Sequence, residues 1–147
     1  MTRIDFYFNV SDQLIFACRI IRKIFYDSKI KIDRPLIIKC CSEDHQNIFD
    51  DLLYKFSPND FIPHVKNFDD LQSKTPIILV KEPWCLSKNT YPNIFLNLGL
   101  NIDNSFSAFD RVVEIVTKYE KDKEIGREKY LFYQTRGYEI FNHDISE

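Results

Sequence analysis

One segment near the end of the chain carries side chains that together could bind an anionic group. The set consists of Lys123, Arg127, Tyr130, Leu131 and Gln134. Their spacing of i, i+4, i+7, i+8 and i+11 places them on one face if the segment is helical. Lys and Arg donate charge-assisted hydrogen bonds to carboxylates, and Arg does so through two parallel bonds. An ion pair of Arg127 with Glu124 or Glu128 is the alternative interpretation of that cation.

Groups suited to covalent or metal catalysis follow no known motif. The histidines are His45, His64 and His143, and the cysteines are Cys18, Cys40, Cys41 and Cys85. None of them lies in a hydrolase signature, and the cysteines form no C-x-x-C pair. Adjacent acids such as Asp50 and Asp51 are interpreted as solvated charge, because neighbours on a helix point about 100° apart. We therefore predict no catalytic residue, no metal and no cofactor.

An enzyme remains the alternative hypothesis. Triads assemble in space, so a cysteine with His45 or His64, or a pair of acids, could still form a site in a small cytoplasmic α/β hydrolase-like protein.

Glycines are too few and wrongly placed for a phosphate-binding loop. The chain has three, Gly99, Gly126 and Gly137, and none lies in a turn from a strand into a helix near the N-terminus. The first such turn reads NVSD, residues 9–12, which places an acid where a phosphate would bind. A nucleotide-binding role is therefore not expected.

Composition favours one cytoplasmic domain over residues 1–147, monomeric in isolation. No apolar run reaches the roughly 18 residues of a membrane span, and no signal peptide opens the chain. The formal net charge is −2, and no dense basic run is visible. Direct binding to nucleic acid is therefore not expected.

Hydrophobic periodicity predicts strands that alternate with helices. Apolar runs predict strands at residues 4–9, 36–40, 77–80, 94–98 and 112–116. Helical spacing predicts a helix after Ser11 and Asp12, a second from residue 42 with an apolar stripe that includes Ile48, and a third from Tyr119 to about Gly137. This alternation predicts a three-layer α/β fold with a largely parallel sheet, Rossmann-like in outline but lacking a phosphate-binding loop.

Five stretches resemble the chi subunit of bacterial DNA polymerase III. The segment VVEIVTKYEKDKEIGREKYLFYQTRGYEI, residues 112–140, resembles the end of that family, with its pattern R-x-x-Y-x-x-Y-x-x-x-G-F/Y. The opening IDFYFN, LIIKCCSEDHQ (36–46), FIPHV (61–65) and NIFLNL (93–98) agree with the family in order and spacing.

The resemblance implies a non-catalytic, clamp-loader-associated subunit with two protein partners. Chi-like subunits bind the acidic, Phe-terminated C-terminal tail of single-stranded-DNA-binding protein, and through a separate surface they bind the psi subunit. They reach DNA only indirectly, and the polymerase activity lies in another subunit. By match to the family pattern, the tail site would consist of Arg127, Tyr130, Lys123, Val116, Phe61 and Tyr54.

Each of these residues has an assigned role in that site. Arg127 would bind the terminal carboxylate with help from Lys123, and the other four would line the pocket, although core packing is the alternative for Tyr54, Phe61 and Val116. The chain departs from the family at Leu131, where relatives tend to carry Lys, and at Gly126, inside the predicted helix.

Overall fold

The computed structural model describes residues 2–27, 36–55, 65–66, 77–80, 94–102, 106 and 109–145. Strands and helices alternate over most of these ranges. The strands are β1 (Arg3–Val10), β2 (Leu36–Lys39), β3 (Val65–Lys66), β4 (Ile77–Val80), β5 (Ile94–Asn97), β6 (Arg111–Thr117) and β7 (Glu139–Asp144). The helices are α1 (Gln13–Asp27), α2 (Glu43–Lys55) and α3 (Glu120–Thr135).

The strands form one parallel sheet. Within the described ranges the sheet has seven strands in the order β3-β4-β2-β5-β6-β1-β7, and each neighbouring pair is parallel. Parallel neighbours need crossover connections, and these put helices over the faces of the sheet. The carboxyl ends of β1, β6 and β7 consequently lie side by side at one edge of the sheet.

Each face of the sheet has its own apolar core. Ala17 and Ile21 of α1 pack with Phe49 and Leu53 of α2 on one face. Tyr133 of α3 packs on the other face, together with Phe6 of β1 and others. The predicted three-layer α/β fold is confirmed.

The central strands are buried on both sides. The four residues of β2, of β4 and of β5, which read LIIK, IILV and IFLN, are all buried. Strands covered on both faces need apolar residues at consecutive positions, so their sequences do not alternate. This is why short apolar runs located them correctly.

Two expectations from the sequence were wrong. The sequence predicts no strand after residues 112–116, but β7 follows α3 and pairs with β1. Its half-exposed edge position gives it a mixed polar and apolar sequence, EIFNHD, which lacks a strand signature. Ile48, expected in the apolar stripe of α2, is 59% exposed. The predicted stop at Gly137 is confirmed, since Gly137 adopts a φ of 79° just after Arg136, the residue that caps α3.

Candidate peptide-binding site

A cavity of about 360 Å³ lies between α3 and the carboxyl ends of β1 and β6. We call it the α3 cavity. It is lined by Phe6, Phe8, Asn9, Val116, Thr117, Lys123, Gly126, Arg127, Tyr130 and Asn142. Open parallel sheets commonly bind ligands at the carboxyl ends of their strands, and this cavity occupies such a position.

The floor of the α3 cavity is apolar and aromatic. Phe6 and Phe8 come from β1, and Val116 comes from the neighbouring strand β6. The rings of Phe6 and Tyr130 lie 5.3 Å apart at an interplanar angle of 60°, a tilted arrangement favourable for aromatic pairs. Such a floor fits an apolar side chain of a ligand.

Two cations of α3 line the same cavity. Arg127 is exposed, and it has no ion-pair partner among the residues that the structure describes, so the expected alternative of a pair with Glu124 or Glu128 is not observed. Lys123 is half-buried, and its Nζ lies 3.7 Å from Oε1 of Glu120. The guanidinium of Arg127 can therefore bind a carboxylate without first breaking an ion pair.

Polar groups of three strands complete the lining. Nδ2 of Asn142 in β7 donates a hydrogen bond of 3.3 Å to the hydroxyl oxygen of Tyr130. Asn9 has a φ of 63°, a left-handed conformation that Asn tolerates better than most residues. Oγ1 of Thr117 donates to the carboxylate of Asp122, which ties the end of β6 to the first turn of α3.

The structure brings together four of the six predicted site residues. Lys123, Arg127, Tyr130 and Val116 all line the α3 cavity. Tyr54 does not: it lies on α2, which packs on the opposite face of the sheet, and it is 64% exposed. Phe61 lies outside the described residues. A role for these residues in binding is tested by no observation here and stays a prediction.

Except for Val116, the strand residues that line the cavity were not predicted from the sequence. Phe6, Phe8 and Asn9 lie in the opening run IDFYFN, which was interpreted only as a buried strand. Asn142 lies in the strand that was not predicted. The one available signal was the excess of aromatic residues in the opening strand. Leu131 and Gln134, which share the predicted helix face, do not line the cavity.

A buried polar network holds α3 against the sheet. Nζ of Lys129 donates to Oε1 of Glu114 at 3.0 Å and to the carbonyl oxygen of Gly99 at 2.7 Å. The hydroxyl of Tyr133 donates to Oε2 of Glu114 at 2.8 Å, and Nδ2 of Asn97 donates to the same oxygen at 3.0 Å. Burial and the adjacent carboxylate of Glu114 raise the pKa of Tyr133, so its hydroxyl remains a donor. This network fixes the rotation of α3 and thereby the direction of Arg127.

A second ionic cluster joins β1, β6 and β7 on the opposite face. The carboxylate of Asp5 is fully buried and accepts from Nε of Arg111 at 2.6 Å. It also lies 2.9 Å from Nε2 of His143 and 3.1 Å from a terminal guanidinium nitrogen of Arg3. Burial alone would raise the pKa of Asp5, but the hydrogen bonds from His143 and Arg111 outweigh burial and lower it. Through His143, the cluster attaches the edge strand β7 to β1. The neighbouring residue of β7, Asn142, lines the α3 cavity.

The described cysteines and histidines do not form a thiol–imidazole pair. Burial raises the pKa of Cys18 and of Cys40 to about 12. Nδ1 of His45 accepts a hydrogen bond from the backbone N–H of Cys41, whereas the thiol of Cys41 lies 3.2 Å from the carbonyl oxygen of Leu98. A thiolate is the nucleophilic form, so these environments do not favour cysteine catalysis. Cys85 and His64 lie outside the described residues.

A backbone N–H group at the start of α1 is already hydrogen-bonded to a side chain of the protein. Oδ1 of Asp12 accepts a hydrogen bond of 3.0 Å from the backbone N–H of Ile15. Asp12 therefore caps the helix. This carboxylate stands where a phosphate binds in nucleotide-binding α/β domains.

Across the described ranges, no helix is long and apolar enough to span a membrane.

Comparison with known proteins identifies relatives over nearly the whole chain. The model of the family described as DNA polymerase III chi subunit, HolC, matches residues 1–141. The DNA polymerase III subunit chi of Pseudomonas aeruginosa is 26% identical over 149 residues, which cover 99% of this chain and 98% of the relative. That of Haemophilus influenzae is 25% identical over 130 residues, covering 88% and 85% respectively.

A solved structure shares the fold alone. A chain of the assembly of S. cerevisiae Dbp5 bound to Nup159, Gle1, IP6 and ADP superimposes with a TM-score of 0.63 at 6% sequence identity. The match covers 99% of this chain but only 42% of that chain. The α/β architecture therefore recurs within a larger protein of unrelated sequence.

Proposed function

Because the chain belongs to the DNA polymerase III chi subunit family, we propose that it is a non-catalytic accessory subunit that links the clamp loader to single-stranded-DNA-binding protein. Membership in the family implies membership in a DNA polymerase III complex. In our proposal the α3 cavity binds the acidic, Phe-terminated C-terminal tail of single-stranded-DNA-binding protein. A separate surface binds the psi subunit, and the protein acts in the cytoplasm.

The observation that carries the tail site is the pairing of an apolar floor with an unpaired cation. A peptide that ends in Phe presents a ring and a free carboxylate only a few bonds apart. The α3 cavity offers Phe6, Phe8 and Val116 to the ring, and Arg127 to the carboxylate. Its volume of about 360 Å³ lies near the lower limit of roughly 300 Å³ for typical ligand sites, which fits one large side chain.

Lys123 and Tyr130 support the same assignment. Lys123 lies one helical turn before Arg127 and adds positive charge beside the proposed carboxylate position. The ring of Tyr130 packs on Phe6, and its hydroxyl accepts from Asn142, so its orientation is fixed before a peptide arrives. Such preorganisation reduces the entropy lost on binding.

Calorimetric titration with three synthetic tail peptides tests the proposal. The first carries the natural acidic end, the second lacks the terminal Phe, and the third keeps Phe but ends in an amide. We expect both altered peptides to bind at least about tenfold more weakly, because each loses either the ring or the charge-assisted bond. Equal binding of all three would exclude a site that recognises the peptide end.

A complex with the psi subunit tests the separate surface. If the two partners bind different surfaces, the preformed complex should bind the tail peptide with the affinity of the free protein. Loss of peptide binding in the complex would show that the two surfaces overlap.

A further inference from the structure

A second cavity adjoins the α3 cavity at the carboxyl end of β1. This α1 cavity, of about 520 Å³, lies beside the start of α1. Its lining includes Asn9, Asp12, Ile15, Phe16, Arg19 and Lys118. Asn9 lines both cavities.

The ends of β1 and β6 explain why the two cavities are neighbours. Val10 pairs with Thr117, and the backbone N–H of Lys118 donates to the carbonyl oxygen of Val10 at 3.0 Å. Thr117 lines the α3 cavity, whereas Lys118, the next residue, lines the α1 cavity. The two cavities therefore meet at the strand ends, at Asn9, whose Nδ2 donates to Oδ1 of Asp144 at 2.9 Å.

The α1 cavity has an excess of positive charge. Arg19 and Lys118 are both exposed, and in the part of the chain that the structure describes neither takes part in an ion pair. The acid in the lining, Asp12, already accepts the N–H of Ile15. A carboxylate entering the cavity would thus encounter two cations and one acid that is already hydrogen-bonded.

We propose that the α1 cavity is a second subsite of the tail site, which binds the acidic residues that precede the terminal Phe. This inference rests on the proposed function, since it takes the terminal residue to lie in the α3 cavity. The carboxylates of the peptide pair with Arg19 and Lys118 after its backbone crosses over Asn9. The α3 cavity then selects the end of the peptide, and the α1 cavity selects its acidic character.

Charge reversal tests the subsite. We expect the double variant Arg19→Glu, Lys118→Glu to bind the acidic peptide about tenfold more weakly, because two attractive pairs become repulsive. Its affinity for a matched peptide, with the acids replaced by Asn and Gln but the same terminal Phe, should stay within about twofold of wild type, since no acidic side chain remains to be repelled in the α1 cavity. The neutral variants Arg19→Gln and Lys118→Gln should show a smaller loss in the same direction.

Lys23 and Lys55 provide the matched control. Both are exposed Lys residues of α1 and α2, and neither lines the α1 or the α3 cavity. The double variant Lys23→Glu, Lys55→Glu alters net charge as much as reversal at Arg19 and Lys118, and should retain most of the affinity. An equal loss in this control would overturn the subsite, because bulk charge would then explain the effect.

Arg127→Ala separates failure of the subsite from failure of the proposed function. If Arg127→Ala weakens binding while reversal at Arg19 and Lys118 does not, the subsite is wrong and the α3 cavity still binds the peptide end. If none of these changes weakens binding, the peptide does not use the α3 cavity, and both proposals fail. Thermal melts of each variant confirm that it is folded.

Discussion

The backbone of Gly126 in α3 packs directly on the side chain of Val116 in β6. A Cβ atom built on Gly126 would lie 2.7 Å from Cγ2 of Val116 and 3.0 Å from its Cγ1. Contacts this short do not occur between real side chains, so the helix can approach the strand only because residue 126 has none. The glycine precedes Arg127, and both Gly126 and Val116 line the α3 cavity.

We predict that Gly126→Ala does not stabilise the protein although Ala favours helix. The gain in helix propensity is about 1 kcal/mol, whereas overpacking a rigid contact costs typically about 1–3 kcal/mol. Unfolding in urea should therefore show a free energy of unfolding that is unchanged or lower by up to about 2 kcal/mol, the difference between these two effects. A clear increase in the free energy of unfolding would show that the side chain of Val116 can move to accommodate the added methyl group without strain.

Val116→Ala provides the matched test of the same contact. The smaller side chain removes both methyl groups that crowd residue 126, so the double variant should be more stable than the sum of the single changes predicts. If the effects of the two changes on the free energy of unfolding were strictly additive, the contact with Val116 would not be the cause of the effect of Gly126→Ala.

Hydrophobic runs predicted the fold well because most of the sheet is buried on both faces. Strands such as LIIK and IILV have one interpretation in a chain of this length, and Gly137 marks the end of α3 unambiguously. The edge strand β7 was missed for the opposite reason. Its half-exposed residues need not be apolar, and only pairing with β1 makes them a strand.

The lining of the α3 cavity was predicted on its helix, but on the sheet only at Val116. Lys123, Arg127 and Tyr130 are linked by helical spacing, which a sequence displays directly. Phe8 and Asn142 come together only through the order of strands in the sheet, which no local pattern encodes. The same lack of long-range information let Tyr54 be assigned to a cavity on the other side of the sheet.

Lys129 and Glu114 should behave as a coupled pair in folding. Both side chains are almost completely buried, and their charged atoms lie 3.0 Å apart. Lys129→Met leaves the carboxylate of Glu114 buried without its cation, a change that typically costs about 3–5 kcal/mol. In a double-mutant cycle, adding Glu114→Gln should recover part of this loss. Independent effects of the two changes on the free energy of unfolding would refute the coupling.

Asp5 should contribute stability that disappears in acid. Its pKa in the folded protein is lowered from the ordinary 3.8, so protonation is easier in the unfolded chain. The contribution is therefore complete above the unfolded pKa and is lost as the pH falls through the lower, folded pKa. Asp5→Asn should reduce the free energy of unfolding at neutral pH by about 3 kcal/mol, as expected for breaking a buried ion pair. The gap between the two proteins should then narrow below pH 3.8, whereas a gap independent of pH would show that the charge of Asp5 is not involved.

Arg127→Ala is the sharpest test of the α3 cavity. If the terminal carboxylate of the tail binds this guanidinium, its removal eliminates a charge-assisted hydrogen bond to a partly desolvated anion, a loss of about 2–5 kcal/mol. The affinity measured by calorimetric titration with the tail peptide should fall by more than about tenfold. Binding to wild type should also weaken as salt increases, because exposed charges such as that of Arg127 are screened.

Two controls make the result for Arg127 specific to the site. Lys121→Ala removes another exposed cation of α3, one that does not line the cavity, and should leave peptide affinity nearly unchanged. Arg127→Lys keeps the charge but loses the bidentate geometry, so its affinity should lie between those of wild type and Arg127→Ala. Thermal melts of the three variants should coincide with wild type, since an exposed helix cation contributes little to stability. Equal affinity of Arg127→Ala and wild type, with equal melts, would remove Arg127 from the site.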